Sequence, residues 1–136
     1  MIRLKRYFIL IFVFILTLFL LFFPKEEKEV SKMDEKRFIF ISYIEIAKYL
    51  KGKDEIAMKN TIDDMISQCS EFGFTDIILQ VRSFSDAIYY SDIYPSSSMI
   101  VAKEGDKLPF DILEYFIKKS HENNLKLHAW INPYRI

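Results

Sequence analysis

The sequence predicts an α/β fold, in which three parallel β-strands alternate with helices behind an N-terminal transmembrane helix. Two observations support this prediction. Short β-branched and aromatic runs alternate with amphipathic helical segments after residue 37, and a long apolar run follows a basic start before residue 24. Strands that alternate with helices are typical of a parallel sheet with right-handed crossovers. Both a doubly wound sheet and a barrel fit this order.

The N-terminal region has the layout of an export signal. Residues 7–23 read YFILIFVFILTLFLLFF, and a basic segment at residues 1–6 precedes them. A run of 17 residues is at the lower limit of what crosses a hydrocarbon layer of about 30 Å. A cleaved signal peptide is the alternative, but the following PKEEKEVSK contains no small-x-small cleavage site.

These features predict four regions of the chain. Residues 1–6 form a cytoplasmic basic segment, 7–23 a transmembrane signal anchor, 24–36 a charged linker, and 37–136 the folded part. Because basic residues are retained in the cytoplasm, the predicted localisation is a single-pass cell-membrane protein with its C-terminal part outside.

The folded part contains five predicted elements. The apolar runs predict three strands, and 3- and 4-residue apolar spacings predict two helices between them. In chain order the elements are the strand Arg37–Tyr43, the helix Asp54–Phe72, the strand Thr75–Arg82, the helix Pro109–Asn123 and the strand Leu125–Asn132. Gly73 is expected to end the first helix, and Pro109 to lie in the first turn of the second.

Composition excludes several classes of function. The 19 basic residues balance 19 acidic ones, whereas nucleic-acid-binding proteins usually carry a basic surplus. The one cysteine, Cys69, allows no internal disulfide, and it predicts a buried apolar position on a helix. Neither of the first two strands is followed by a glycine-rich phosphate-binding motif. We therefore expect no nucleic-acid partner, no metal and no cofactor.

The predicted strands become polar toward their C-terminal ends on one face only. Alternation places His128, Trp130 and Asn132 opposite an apolar face of the third strand, and Gln80 and Arg82 likewise on the second. The first strand shows a weaker version, in which Ile39, Ile41 and Tyr43 are in phase and Glu45 lies just beyond.

Polar side chains at the C-terminal ends of successive strands are typical of a barrel active site. The sequence therefore predicts the first part of a (β/α)8 TIM barrel, about three βα units long. These residue types also suit a carbohydrate, because Tyr43, Trp130 and Tyr134 can stack on a sugar ring. Gln80, Arg82, His128 and Asn132 can bond to its hydroxyl groups. The alternative is a self-satisfied polar network that only holds this end of the barrel together.

Three segments carry a resemblance to a known family. They are FISYIE at Phe40–Glu45, QVRSFSDAIYYSDIYP at Gln80–Pro95 and HAWINPYR at His128–Arg135. Together they make residues 37–136 similar to the glycosyl-hydrolase-like 10 family, a bacterial family of (β/α)8-barrel glycoside hydrolases. The resemblance implies activity on extracellular or cell-wall polysaccharide.

The resemblance also implies that much of a barrel is missing. Such a barrel needs roughly 250 residues, and the family's presumed catalytic acids lie on strands later than the three predicted here. The acidic candidates present are Glu45, Asp86 and Asp92, and we assign none of them as catalytic. We expect Glu45 and Asp86 to bind substrate with the residues above, and Asp86 to pair with Arg82. The alternatives are a glycan-binding fragment without catalysis, a fragment docked to a partner chain that completes the barrel, and a non-functional truncated product.

Overall fold

A computed structural model describes Tyr7, residues 12–19 and residues 35–134. The chain divides into two units, Met1–Asp34 and Glu35–Ile136. In the first unit residues 12–19 are helical. The hydroxyl of Thr17 donates hydrogen bonds to the carbonyls of Val13 at 3.0 Å and Phe14 at 2.8 Å, which satisfies the one side-chain donor in that stretch.

The predicted fold class is wrong where it includes a transmembrane helix. None of the helices in the described parts of the chain is long and apolar enough to cross a membrane. Residues 8–11 and 20–23 of the predicted span lie outside the described residues, as do the basic segment and most of the linker.

The second unit is a mixed α/β structure. Its described residues form three strands and three helices, in the order β1 (Phe38–Ile41), α1 (Tyr43–Leu50), α2 (Glu55–Glu71), β2 (Asp76–Arg82), α3 (Ile112–Glu122) and β3 (Lys126–Ile131). The strands pair in parallel in the order β1-β2-β3. The predicted alternation is confirmed, but the predicted partial barrel is corrected to a three-stranded parallel sheet within residues 35–134.

The core lies between one face of the sheet and the helices. Ile77, Leu79 and Val81 alternate along β2 and are at most 2% exposed. They belong to one apolar cluster with Ile62 of α2 and Phe116 of α3. Burying each such side chain contributes about 1.5–3 kcal/mol, so the core holds the two long helices to this face. The other face of the sheet carries the side chains of Asp76, Ile78 and Gln80 and of their neighbours on β1 and β3.

Helix α1 was missed by the sequence analysis, which continued the first strand through Tyr43. The hydroxyl of Ser42 accepts a hydrogen bond from the backbone N–H of Ile44 at 3.2 Å, and the carboxylate of Glu45 accepts one from the backbone N–H of Ser42 at 2.9 Å. This reciprocal arrangement is a capping box, and it starts a helix directly after the strand. Tyr43 and Glu45 therefore lie on α1, and not at the polar end of a strand.

The ends of the other helices follow from similar local chemistry. Asp54 caps α2 by accepting from the N–H of Ala57 at 2.8 Å. Gly73 ends it as predicted, since its φ of +74° is the left-handed conformation that glycine adopts most easily. The expectation for Pro109 is wrong: α3 begins at Ile112, because Asp111 accepts from the N–H of Glu114 at 2.9 Å and forms the N-cap.

We predict that Ser42→Ala lowers the free energy of unfolding by about 1 kcal/mol, the usual cost of losing a hydroxyl N-cap. The substitution removes the acceptor for the N–H of Ile44 and a partner of the Glu45 carboxylate. Urea unfolding followed by circular dichroism measures the change. Ser85→Ala is the matched control, because Ser85 is exposed in the loop after β2. Equal stability of the two variants would contradict a capping role for Ser42.

Candidate functional site

The carboxyl ends of β2 and β3 lie side by side at the same end of the sheet. Gln80 lies directly opposite Trp130 in the parallel register, so their side chains share a face. Phe40 of β1 lies on that face as well, with its ring edge-on to the Trp130 ring at a centroid distance of 6.2 Å. The sequence analysis placed Gln80 and Trp130 on the polar face of their strands, and the register brings the two residues side by side although 50 positions separate them in the chain.

Gln80 is the most buried member of this group, with 1% of its surface exposed. Its side-chain carbonyl accepts a hydrogen bond from the backbone N–H of Tyr43 at 3.0 Å, and this bond ties the start of α1 to β2. The amide nitrogen Nε2 is also buried, but it has no hydrogen-bond partner among the described residues. Gln80 is thus anchored at one end and has an unpaired donor at the other.

A register shift follows Gln80. Arg82 pairs with Ile131 instead of Asn132, and such an irregularity changes the direction of the side chains beyond it. The guanidinium carbon of Arg82 lies 3.9 Å from the ring centre of Tyr94, in the long β2–α3 loop. Simple alternation, from which the sequence analysis placed Arg82 on the face of Gln80, does not hold across this shift.

The expected ion pair between Arg82 and Asp86 is not found within residues 35–134. The ion pairs recorded there involve other residues. Asp86 is 2% exposed, and its carboxylate accepts a hydrogen bond from the backbone N–H of Phe84 at 3.0 Å. Asp86 therefore shapes the turn after β2, while Arg82 interacts with an aromatic ring.

Trp130 and Asn132 belong to a closed set of hydrogen bonds. The indole N–H of Trp130 donates to the side-chain carbonyl of Asn132 at 2.9 Å. The Asn132 amide donates to the carbonyl of Ser83 at 3.2 Å, and its backbone N–H donates to the carbonyl of Arg82 at 3.0 Å. These bonds hold the end of β3 against the end of β2, and they fix the orientation of the indole ring.

His128 is directed toward the opposite end of the sheet. Its Nε2 atom lies 2.6 Å from Oδ1 of Asp76, the first residue of β2. The hydroxyl of Thr75 donates to the other oxygen of this carboxylate at 2.6 Å. These contacts, that of Thr75 first and then that of His128, hold the pKa of Asp76 below its ordinary value. The sequence analysis grouped His128 with Trp130 and did not identify Asp76.

The remaining predicted site residues are more dispersed. The ring of Tyr43 lies edge-on to Phe84 at 5.4 Å, near the end of β2. The carboxylate of Glu45 is engaged with Ser42, and the Ser42 hydroxyl is the main cause of its lowered pKa. Tyr134 is 95% exposed. Of these three, Tyr43 is the residue most closely connected to Gln80.

The predicted phase of the first strand is also wrong. Ile41 is buried in the core, and Ile39 packs against it. Phe38 and Phe40 lie on the face of His128 and Trp130 and are 44% and 61% exposed. The face predicted to be polar on all three strands is therefore aromatic on β1. This strand has four residues and carries apolar side chains on both faces. The alternation of its residues therefore does not indicate which face is buried.

No metal-binding cluster of three or more His, Cys, Asp or Glu side chains is found in the described parts of the chain. Cys69 is buried on α2, as the sequence analysis predicted for it. Burial raises the pKa of its thiol, which disfavours the reactive thiolate form. The last two residues of the HAWINPYRI segment lie outside the described residues.

The segments that carry the resemblance lie around this carboxyl end of the sheet. Comparison with known protein families agrees with the resemblance. Residues 35–136 match the family described as glycosyl hydrolase-like 10. The chain belongs to the glycosyl hydrolase-like 10 family. The family assignment predicted from the sequence is therefore confirmed.

Two curated glycosyl hydrolases are similar to part of the chain. It is 31% identical over 86 residues to the glycosyl hydrolase YngK of Bacillus subtilis, which is 63% of this chain and 17% of YngK. It is 30% identical over 73 residues to the glycosyl hydrolase DigH of Escherichia coli K12, which is 54% of this chain and 17% of DigH. The matched part of the chain thus corresponds to about one sixth of each relative.

We predict that Asp76→Asn destabilises the protein at neutral pH and that the difference from the unsubstituted protein shrinks in acid. Because the folded-state pKa of Asp76 is depressed, its contribution is complete above the unfolded-state pKa of about 3.9. It is lost as the pH falls through the folded-state value. Chemical unfolding at steps between about pH 6 and pH 2 measures this difference.

The control for this experiment is Asp92→Asn, since Asp92 is an exposed loop residue. Its difference from the unsubstituted protein should stay small at every pH. A difference for Asp76→Asn that is constant across the acid range would show that the carboxylate charge is not what stabilises the folded state.

Proposed function

We propose that this chain supplies glycan-binding residues of a glycoside hydrolase that acts on extracellular or cell-wall polysaccharide. The observation that carries the proposal is the meeting of Gln80 and Trp130 at the carboxyl end of a parallel sheet. Ligands of parallel α/β sheets commonly bind at this end of the strands. Membership of the glycosyl hydrolase-like 10 family supports a carbohydrate as the ligand.

The orientation of Trp130 suits a sugar. Its indole N–H is already bonded to Asn132, so the polar edge of the ring is satisfied within the protein. The ring is partly buried and supported by the edge-on contact with Phe40. A rigid aromatic ring beside a few polar groups is typical of ligand sites, and the apolar face of a sugar ring can stack on it.

We also propose that the chain binds a glycan without cleaving it. Glycoside hydrolysis normally requires two carboxyl groups on either side of the scissile bond. Two of the three acidic candidates have other partners, since Glu45 binds the N–H of Ser42 and Asp86 binds the N–H of Phe84. On this proposal the catalytic carboxyl groups are not supplied by Glu45 and Asp86.

We predict that Trp130→Ala weakens glycan binding by about tenfold. The free energy of stacking a sugar on an aromatic ring is of the size that changes a dissociation constant by this factor. Binding of cell-wall glycan fragments to the 136-residue chain can be measured by isothermal titration calorimetry. Phe72→Ala is the matched control, because Phe72 is 75% exposed and precedes the amino end of β2, whereas Trp130 lies opposite Gln80 near its carboxyl end.

The same preparations should release no reducing sugar from cell-wall glycans or aryl glycosides. Robust turnover by the chain alone would contradict the proposal that it lacks the catalytic pair. Equal loss of binding in the Trp130 and Phe72 variants would contradict the placement of the glycan at the ends of β2 and β3.

A second candidate function is docking to another polypeptide. The exposed face of the sheet and its two outer strands favour it. Phe38 and Phe40 are exposed there, and within residues 35–134 β1 and β3 each pair with β2 alone. Strand edges of this kind accept further strands readily. Co-purification of a partner in a fixed stoichiometry, weakened by Phe40→Lys, would support docking; a monodisperse monomer without any partner would argue against it.

A further inference from the structure

The long loop between β2 and α3, residues 83–111, contains a cavity of about 220 Å³. Three aromatic side chains, one acidic side chain and one basic side chain take part in its lining: Tyr89, Tyr90, Tyr94, Asp106 and Lys107. Long loops in compact domains are usually functional. Neither the site at Trp130 nor the core accounts for a cavity of this composition in the loop.

The loop holds the walls of this cavity in place with its own backbone hydrogen bonds. The N–H of Ala87 donates to the carbonyl of Pro95 at 2.9 Å, and the N–H of Ser97 donates to the carbonyl of Ala87 at 2.8 Å. The N–H of Gly105 donates to the carbonyl of Ser96 at 3.0 Å. These bonds join the two stretches of the loop that line the cavity, so the site is formed before a ligand binds.

The three tyrosines of the cavity differ in how the protein holds them. Tyr89 packs against the apolar core, and the guanidinium carbon of Arg82 lies 3.9 Å from the ring centre of Tyr94. Tyr90 is 58% exposed, and its backbone N–H is fixed by the carboxylate of Asp111 at 3.1 Å. Two rings are therefore held by packing, while the third has a fixed backbone and a side chain that a ligand can reach.

Asp106 and Lys107 add an acceptor and a donor to the same cavity. One carboxylate oxygen of Asp106, Oδ2, accepts from the N–H of Lys103 at 2.9 Å. This bond orients the carboxylate and leaves Oδ1 free of any hydrogen bond recorded within residues 35–134. The ion pairs recorded in the same range do not include Lys107. Both residues are exposed, so a ligand has access to them.

We propose that this loop cavity binds one sugar unit of a glycan, as a subsite separate from the site at Trp130. Aromatic rings pack on the apolar face of a sugar, and a carboxylate and an ammonium group form charge-assisted hydrogen bonds with its hydroxyl groups. The volume of about 220 Å³ is below the roughly 300–1,000 Å³ of sites for drug-sized ligands, which favours a single sugar unit. The inference rests on the proposed function for its class of ligand, because family membership indicates a carbohydrate.

The test is a nuclear magnetic resonance titration of the 136-residue chain with glucose, galactose and N-acetylglucosamine. Glycerol is the matched control probe, because it has hydroxyl groups but no ring. At least one sugar should shift the amide resonances of Tyr90, Ser91 and Asp106, with a dissociation constant in the millimolar range. A few hydrogen bonds and one stacked ring support an affinity of that order. Glycerol should leave these resonances unchanged.

Variants then locate the binding in the loop. Tyr90→Ala should weaken it by about tenfold, through the loss of the exposed ring. Asp106→Asn should weaken it by about fivefold, because a neutral acceptor forms a weaker hydrogen bond than a carboxylate. Ile93→Ala is the matched control, since Ile93 is 81% exposed in the same loop and does not line the cavity. Trp130→Ala should leave the titration of the loop unchanged, and circular dichroism verifies that each variant is folded.

The outcomes separate this inference from the proposed function. The loop subsite is overturned if no sugar shifts the loop resonances, if glycerol shifts them equally, or if the Tyr90 variant binds as tightly as the unsubstituted chain. In each of these cases the effect of Trp130→Ala on glycan binding still decides the proposed function. Loss of the loop titration in the Trp130 variant also overturns a separate subsite. Binding of no saccharide in either calorimetry or resonance titration overturns the proposed function, and the subsite with it.

Discussion

The burial of β2 between two parallel neighbours is the constraint on which the rest of the second unit depends. One face of the strand is closed by the apolar cluster with α2 and α3. On the other face Asp76 and Gln80 are each 1% exposed, so their polar atoms must find partners nearby. Asp76 does so fully, through Thr75 and His128. Gln80 does so at one end only, and this difference separates the structural end of the strand from the candidate binding end.

Much of the fold could be predicted because β2 and β3 each have one clearly apolar face. The prediction failed where two local signals compete. In β1 both faces are apolar, and only packing decides that Ile41 is buried and Phe40 is exposed. At Ser42 the capping box outweighs the strand tendency of the residues before it. That motif was visible in the sequence, so α1 was in principle predictable, whereas the phase of β1 depends on contacts that the sequence does not display.

The candidate site was predictable to a similar extent. The pairing of Gln80 with Trp130 follows from parallel register, because strands of similar length bring their polar ends together. The contact between Arg82 and Tyr94 does not follow, since it depends on an irregularity in register and on the path of a long loop. His128 shares a face with Trp130, but the rotamer that directs it to Asp76 is set by the presence of a buried carboxylate two pairs earlier along β2.

The sequence left two hypotheses open for these polar residues, a self-satisfied network and a ligand site, and the hydrogen bonds at the end of β3 agree with the first of them. Trp130 and Asn132 form a closed network with Ser83, so their amide and indole groups need no ligand. Gln80 and Arg82 keep buried donors that the described residues do not satisfy. A network that is complete on β3 makes the Trp130 ring rigid, and a rigid ring loses little entropy when a sugar stacks on it.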